Sequence, residues 1–186
     1  VDPKVVTTVL NLLDSKYGQE IVGGKRAPVT INRGRIHDYL GMTLDYSEPG
    51  SIKLDMTDYV KKILDEMPTE MDGTATSPAG DYLFKIVDGI ELLNEADSEF
   101  FHATVAKLLF LCKRGRPDIQ TAIAFLCTRV QHPTKHDHNK LARVIKYLRS
   151  TSDLVLRLSA ENLNIIKWWV DASYAVHHNM RSHTGG

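Results

Sequence analysis

Val105-Ala106-Lys107-Leu108-Leu109-Phe110-Leu111-Cys112-Lys113-Arg114-Gly115-Arg116-Pro117-Asp118-Ile119-Gln120-Thr121-Ala122-Ile123-Ala124-Phe125-Leu126-Cys127 is the stretch that decides the fold. Two apolar patterns of helical period meet here across a break. The first predicts a helix from about Ser98 to Lys113, with Val105, Leu108, Leu109 and Cys112 inward, and Gly115 breaks it. The second opens at Pro117, which suits a first helical position. It carries Ile119, Ala122, Ile123, Leu126, Cys127 and Val130 at i, i+3, i+4, i+7 spacing, and Pro133 lies beyond its end. A third helix is expected over Asp137 to Ser150, with Leu141, Val144, Ile145 and Leu148 inward. Its other face carries Lys140, Arg143, Lys146 and Arg149. Three adjacent amphipathic helices predict a helical core.

Toward the N-terminus the period changes. Val60, Ile63, Leu64 and Met67 mark a short helix, with Thr57 as its expected cap and Pro68 as its stop. Before it, Ile36 to Tyr46 and the alternating Ser51 to Met56 flank Glu48-Pro49-Gly50, so Ile36 to Met56 reads as a β-hairpin. Residues 19–28, with Gly23-Gly24 and Pro28, read as a loop. Asp2-Pro3 starts a helix in which Val6, Val9, Leu10, Leu13 and Tyr17 recur, and Gly18 ends it. Residues 69–96, including Asp88-Gly89, have weak periodicity and read as a long surface loop. Beyond the helices, Leu154 to Leu158 and Ile165 to Asp171 read as strands, and Asn179-Met180 as a turn. Two strands cannot bury their own faces, so the rest of that sheet is expected outside this chain. The class is α+β.

The 186 residues are 42% hydrophobic and 25% charged, an ordinary globular balance. No stretch approaches the ~18 apolar residues of a membrane span. Val1-Asp2-Pro3-Lys4 does not resemble a signal peptide, and with Gly185-Gly186 directly after an apparent strand, both ends are expected to be cut from a larger protein. Cys112 and Cys127 fall in helical apolar patterns and read as reduced core thiols, with a disulfide the alternative. The net charge is zero, but its distribution is uneven. Asp45 to Glu99 holds 4 Lys/Arg against 14 Asp/Glu, and Lys107 to Arg149 holds 10 against 2. The basic segment suits a phosphate-facing surface. It equally suits a solvated helix face or a surface paired with the acidic segment.

Few residues carry a chemical signal. Asp171 closes an apolar run, where a carboxylate can hold a divalent metal, but one Asp is also an ordinary strand-end residue. His132, His136 and His138, and the group His177, His178 and His183, lack the paired-cysteine pattern of a zinc site. Gly23-Gly24 is too short for a phosphate loop. Lys113, Arg114 and Arg116 lie just before the Pro117 helix, where they could meet a phosphate. Alternatively, Asp118 caps that helix and pairs with a nearby arginine.

In order along the chain, these segments resemble the reverse transcriptase of copia-type LTR retrotransposons. Asp38-Tyr39-Leu40-Gly41-Met42-Thr43-Leu44-Asp45-Tyr46 is similar to the family's F-L-G-hydrophobic-x-hydrophobic hairpin. Tyr59-Val60-Lys61-Lys62-Ile63-Leu64 resembles its next helix. Val105 to Leu111 with Arg116-Pro117-Asp118-Ile119 resembles V-G-x-L-L-Y-L followed by T-R-P-D-I. Pro133 with Arg143 to Thr151 resembles P…K-R-x-L-R-Y-L-x-G-T. Val170-Asp171-Ala172-Ser173-Tyr174-Ala175 and Arg181-Ser182-His183-Thr184-Gly185 resemble D-A-D-W-A and R-S-T-S-G, where the family's RNase H domain begins. The likeness covers residues 36–186.

The resemblance implies an intracellular piece of an RNA-directed DNA polymerase with RNase H. Residues 1–68 would end the palm, 69–96 form a linker, 97–152 make a helical thumb and connection, and 153–186 begin a truncated RNase H-like sheet. Leu40, Gly41 and Met42 would grip the primer. Lys113, Arg114, Arg116, Lys140, Arg143, Lys146 and Arg149 would hold an RNA–DNA or DNA duplex. Asp171 would be the first carboxylate of an incomplete Mg2+ site, the metal acting in the complete parent. The partners would be that duplex and the remainder of the retrotransposon polyprotein, with no membrane. The polymerase's aromatic-x-Asp-Asp signature is absent, since Pro3 follows Val1-Asp2. Ser173 replaces the family's second Asp, Asp137 stands where it has His, and no glycine precedes Thr151. The piece alone is expected to be inactive. The alternatives are a non-catalytic helical module that binds nucleic acid or protein, and a decayed relic.

Overall fold

The computed structural model describes all residues except 1, 19, 20, 23, 24, 88, 161, 163, 178, 179 and 186, and describes residues 21, 22, 25, 26 and 183–185 by their backbone. Gly23-Gly24, Asp88, His178 and Asn179, named above, lie outside the described residues. By its internal contacts the chain divides into Val1–His37 and Asp38–Gly186.

In the first unit, α1 spans Pro3–Tyr17. The Asp2 carboxylate accepts from the Lys4 amide at 2.8 Å, satisfying one orphan donor of the first turn, and Pro3 lacks the amide that would be another. Gly18 follows, as expected. None of α1's residues is buried, so its Val6, Val9 and Leu13 stripe stays on this unit's surface. Part of the expected loop is strand, because β1 (Ile21–Val22) pairs antiparallel with β2 (Lys25–Arg26).

The sheet has the order β3-β4-β5-β6, formed by Ile36–Tyr39, Met42–Asp45, Ser51–Asp55 and Leu156–Ser159. Ile36 to Tyr46 is therefore two strands, not one. Leu40 (φ 48°) and Gly41 (φ 77°) turn the chain between them. Two consecutive positive φ values define the tight turn that matches strand twist. Gly41 adopts it freely, whereas a leucine there is strained by about 1 kcal/mol. β4 and β5 pair antiparallel, with Leu44 opposite Leu54. β6 then pairs with β5, with Leu158 opposite Ile52 and Leu156 opposite Leu54. The strand expected to open a separate C-terminal sheet is thus the fourth strand of the hairpin's sheet.

α2 spans Thr57–Asp65. Thr57 is its first helical residue and not its cap. The Asp55 carboxylate instead accepts from the Thr57 amide (3.0 Å) and hydroxyl (2.8 Å). α3 (Glu95–Cys112), α4 (Gln120–Cys127) and α5 (Lys135–Ser150) complete the core. α3 begins a turn earlier than expected because Asn94 caps it, accepting from the Asp97 amide at 2.8 Å. Its inward residues include Phe101, Val105, Leu108 and Leu111, whereas Leu109 is exposed. Pro117–Ile119 is a 3-10 turn leading into α4. Ile119, Ile123, Leu126, Leu141, Val144, Ile145 and Leu148 are fully buried, as their spacing predicts. Gly115 does more than break a helix. A Cβ there would lie 2.9 Å from the Met56 sulfur, so Gly115 lets the α3–α4 junction close on the residue before α2.

The described residues of 69–94 form a 3-10 turn at Thr69–Met71 and otherwise a loop, tied to the start of α5 by a Leu92–Thr134 bridge. Near the C-terminus, Ile165–Val170 is not a strand, and Trp168 and Trp169 are more than three-quarters exposed. β7 (Asp171–Ser173) pairs antiparallel with β8 (His183–Gly185). No helix among the described residues is long and apolar enough to cross a membrane.

Candidate nucleic-acid interface

The cations expected to face a duplex separate into distinct environments. Arg116 is 2% exposed. Its Nε and Nη2 donate to the Asp118 carboxylate (3.0 and 2.8 Å), and its Nη1 and Nη2 donate to the Thr151 carbonyl (2.8 Å) and hydroxyl (2.7 Å). The Tyr147 hydroxyl donates to the same carboxylate at 2.9 Å. Burial disfavours ionised Asp118, but the bonds from Arg116 and Tyr147 outweigh it and hold the carboxyl below its ordinary range. Burial, reinforced by the bond to Asp118, pushes the Tyr147 phenol up. Of the two sequence readings for this junction, the local pair is the one formed for Arg116.

Lys140 is also buried. It donates to the Lys85 carbonyl at 2.8 Å, lies 3.7 Å from Asp137, and sits over the Phe125 ring. Burial depresses its pKa, with Asp137 opposing. Asp137 is itself buried. It accepts from the Thr134 amide and hydroxyl and from Arg129, closing a capping box at the start of α5. Arg116 and Lys140 are therefore withdrawn from the expected phosphate-facing set. Their charges are already met inside the fold, and a phosphate would have to break those bonds.

The rest of the α5 face is crossed by the acidic segment. Arg149 pairs with Asp72 at 2.8 Å, and Arg143 donates to Ser77 at 2.9 Å. The Ala75 amide donates to the Lys146 carbonyl, and the Ser150 hydroxyl to the Ala75 carbonyl. Elsewhere Lys107 pairs with Glu66, and Lys135 with Glu91. A surface paired with the acidic segment, one of the readings of the charge asymmetry, describes these contacts. Lys113 is exposed at the end of α3, and Arg114 stacks on Phe110 with its guanidinium 3.8 Å from the ring centroid.

The hairpin residues differ in environment. Met42 packs against the helical core, while Leu40 is 60% exposed at the turn. Asp171 opens β7, is exposed, and accepts from the adjacent Ala172 amide at 2.8 Å. No three His, Cys, Asp or Glu side chains among the described residues converge as a metal site. Mg2+ is commonly held by one or two carboxylates, with waters and substrate phosphates completing its shell, so Asp171 by itself would supply one ligand of an incomplete site.

Against this geometry, the chain is 25% identical over 155 residues to a transposon Ty5-1 protein of Saccharomyces cerevisiae, covering 82% of this chain and 49% of that protein. It is 27% identical over 118 residues to an uncharacterized mitochondrial protein of Arabidopsis thaliana, covering 63% of this chain and 47% of that one. The chain thus spans about half the length of the curated relatives it matches. No family model matches it, and no solved structure matches it significantly.

Sequence reasoning missed the far side of the α5 face. Glu70, Thr74 and Tyr82 line a cleft of about 480 Å3 opposite Asn139, Arg143 and Lys146. The aperiodic loop gives no sign of which residues return to α5. Its excess of acids was the available signal.

Proposed function

We propose that the chain derives from a retrotransposon polyprotein and is the part of an RNA-directed DNA polymerase that positions the primer terminus and holds the template–primer duplex. The similarity to the Ty5-1 protein over most of this chain supports the origin. The role rests chiefly on Leu40. An exposed leucine held at positive φ is unfavourable twice over, in hydration and in backbone strain. Such strain at the tip of a hairpin in which Met42, two residues on, packs against the core suits a contact with a nucleotide sugar or base. Lys113, Arg114, Arg143, Lys146 and Arg149 remain the candidate duplex contacts, the last three after the loop yields. The catalytic chemistry of the parent would use Mg2+, and no step of it is assigned to Asp171 here.

The test is binding of the chain to a template with a recessed primer 3′ end against a blunt duplex of equal length. The recessed end is expected to bind several-fold tighter, and Leu40→Asn to abolish the difference. Asn tolerates positive φ better than Leu, so this variant should fold at least as well. Equal affinity for both ends, or a preference that survives Leu40→Asn, would overturn the reading.

A further inference from the structure

The cleft beside α5 has the chemistry of an anion site. Helical spacing places His138, Asn139, Arg143 and Lys146 along one wall, and Thr74 and Tyr82 belong to the other. The walls are tied at Ala75, itself on the lining, by the Ala75–Lys146 and Ser150–Ala75 hydrogen bonds, so the opening is part of the packed fold. Its volume of about 480 Å3 falls in the roughly 300–1,000 Å3 range of small-ligand pockets.

Its charge is unbalanced. Arg143 and Lys146 are cationic, and the single acid on the lining, Glu70, lies 3.9 Å from His138. Arg143 satisfies one Nη on Ser77, but its Nε is buried with no acceptor. A buried charged donor without an acceptor is a substantial penalty, and because this Nε is closed off from solvent an oxyanion would relieve it only by drawing the guanidinium outward into the cleft. Lys146 is half-buried, with its stem against Gly73. Gly73 has a φ of 113°, so a side chain at that position would be strained, although its Cβ would meet the lysine stem only at ordinary van der Waals distance, 3.8 Å. Thr74, Asn139 and Tyr82 add neutral side-chain donors to the lining. The Tyr82 ring supplies a flat apolar surface.

We infer that this cleft binds the phosphate group of a nucleotide, through Arg143 and Lys146, with the base or sugar against Tyr82. The phosphate can belong to a free nucleotide or to a strand. The site shares Arg143 and Lys146 with the duplex contacts proposed above and to that extent rests on that reading, but it is independent of the primer-terminus part, which rests on Leu40.

The experiment measures stabilisation of the whole chain against heat by inorganic phosphate, adenosine monophosphate and a short single-stranded oligonucleotide. It compares the native chain with Lys146→Gln and Leu40→Asn. Lys146→Gln keeps the stem against Gly73 and drops only the charge. Ligands that bind the folded state raise Tm in proportion to occupancy. Saturable stabilisation by phosphate and the mononucleotide, weakened about tenfold by Lys146→Gln and unchanged by Leu40→Asn, supports a free-nucleotide site. Stabilisation by the oligonucleotide alone, with the same dependence on Lys146, supports the same cleft reading a strand. No stabilisation by any of the three, or equal stabilisation of Lys146→Gln, overturns the inference. Equal affinity of the native chain for recessed and blunt ends, with phosphate binding retained, would overturn the primer reading and leave this one standing.

Discussion

Buried at the junction of α3 and α4, Arg116 performs a task that a lysine cannot. Its fork meets Asp118 on one side and Thr151 on the other, joining the 3-10 turn at Pro117–Ile119 to the end of α5. A lysine has no planar fork with which to span both. Arg116→Lys is expected to destabilise the chain by about 2 kcal/mol, and Arg116→Ala by about 3, since removal leaves Asp118 and the Thr151 carbonyl short of donors. Urea unfolding at pH 7 measures both, and a loss below 0.5 kcal/mol for Arg116→Ala would refute the clamp. The same carboxylate gives a pH signature. The folded pKa of Asp118 is lowered from the ordinary 3.8. Its contribution is therefore complete above that value and is lost as pH falls through the depressed folded one. Asp118→Asn should flatten the acid limb of the stability curve below about pH 4, and an unchanged limb would assign that limb to other acids. The sequence offered both readings of this junction. It could not choose between them, because Thr151, which makes Arg116 a bridge, lies 35 residues away.

Among elements, the helices were legible because their periodicity is local, and the sheet was legible only in part. The buried face of α2 follows from spacing alone, and so does the apolar part of α5, whereas buried Phe125 in α4 and buried Asp137 and Lys140 in α5 lie outside the spacing pattern. The turn at Leu40-Gly41 was hidden because leucine is a poor resident of its first position, where Asn, Asp or Gly gives the usual signal. β6 was assigned to the wrong sheet because its partner, β5, lies about a hundred residues earlier, and alternation names a strand without naming its neighbour. The turn also yields a stability prediction. Leu40→Asn should raise unfolding free energy by about 0.5–1 kcal/mol by relieving left-handed strain. Gly41→Val should lower it by more than 1 kcal/mol, since a β-branched residue resists positive φ. Both are read by thermal unfolding. A neutral Gly41→Val would show that the turn relaxes to another type.

At the scale of the molecule, zero net charge conceals a pairing of an acidic segment with a basic one. The exposed pairs, Lys107–Glu66 and Lys135–Glu91, each contribute no more than about 1 kcal/mol, whereas Arg149, paired with Asp72, is partly buried. Their larger effect concerns what the α5 face can bind. A cation held by a carboxylate releases no counterion when it meets a phosphate, so the native chain should bind duplex with a shallow salt dependence. Removing the loop's acids frees the cations while leaving the helical core intact. Glu70→Gln with Asp72→Asn is therefore expected to tighten duplex binding and to steepen the slope of log Kobs against log salt by about 0.9 per freed cation, thus by roughly 1 to 2. Asp72 releases Arg149, and Glu70 removes the one acid from the cleft of Arg143 and Lys146. Titrations of a labelled duplex between low and high salt measure both slopes. Equal slopes would mean that the loop's uncharged bonds, Ser77 to Arg143 and Ala75 to α5, hold the face closed without its acids. The duplex surface would then have to lie on Lys113 and Arg114 at the end of α3.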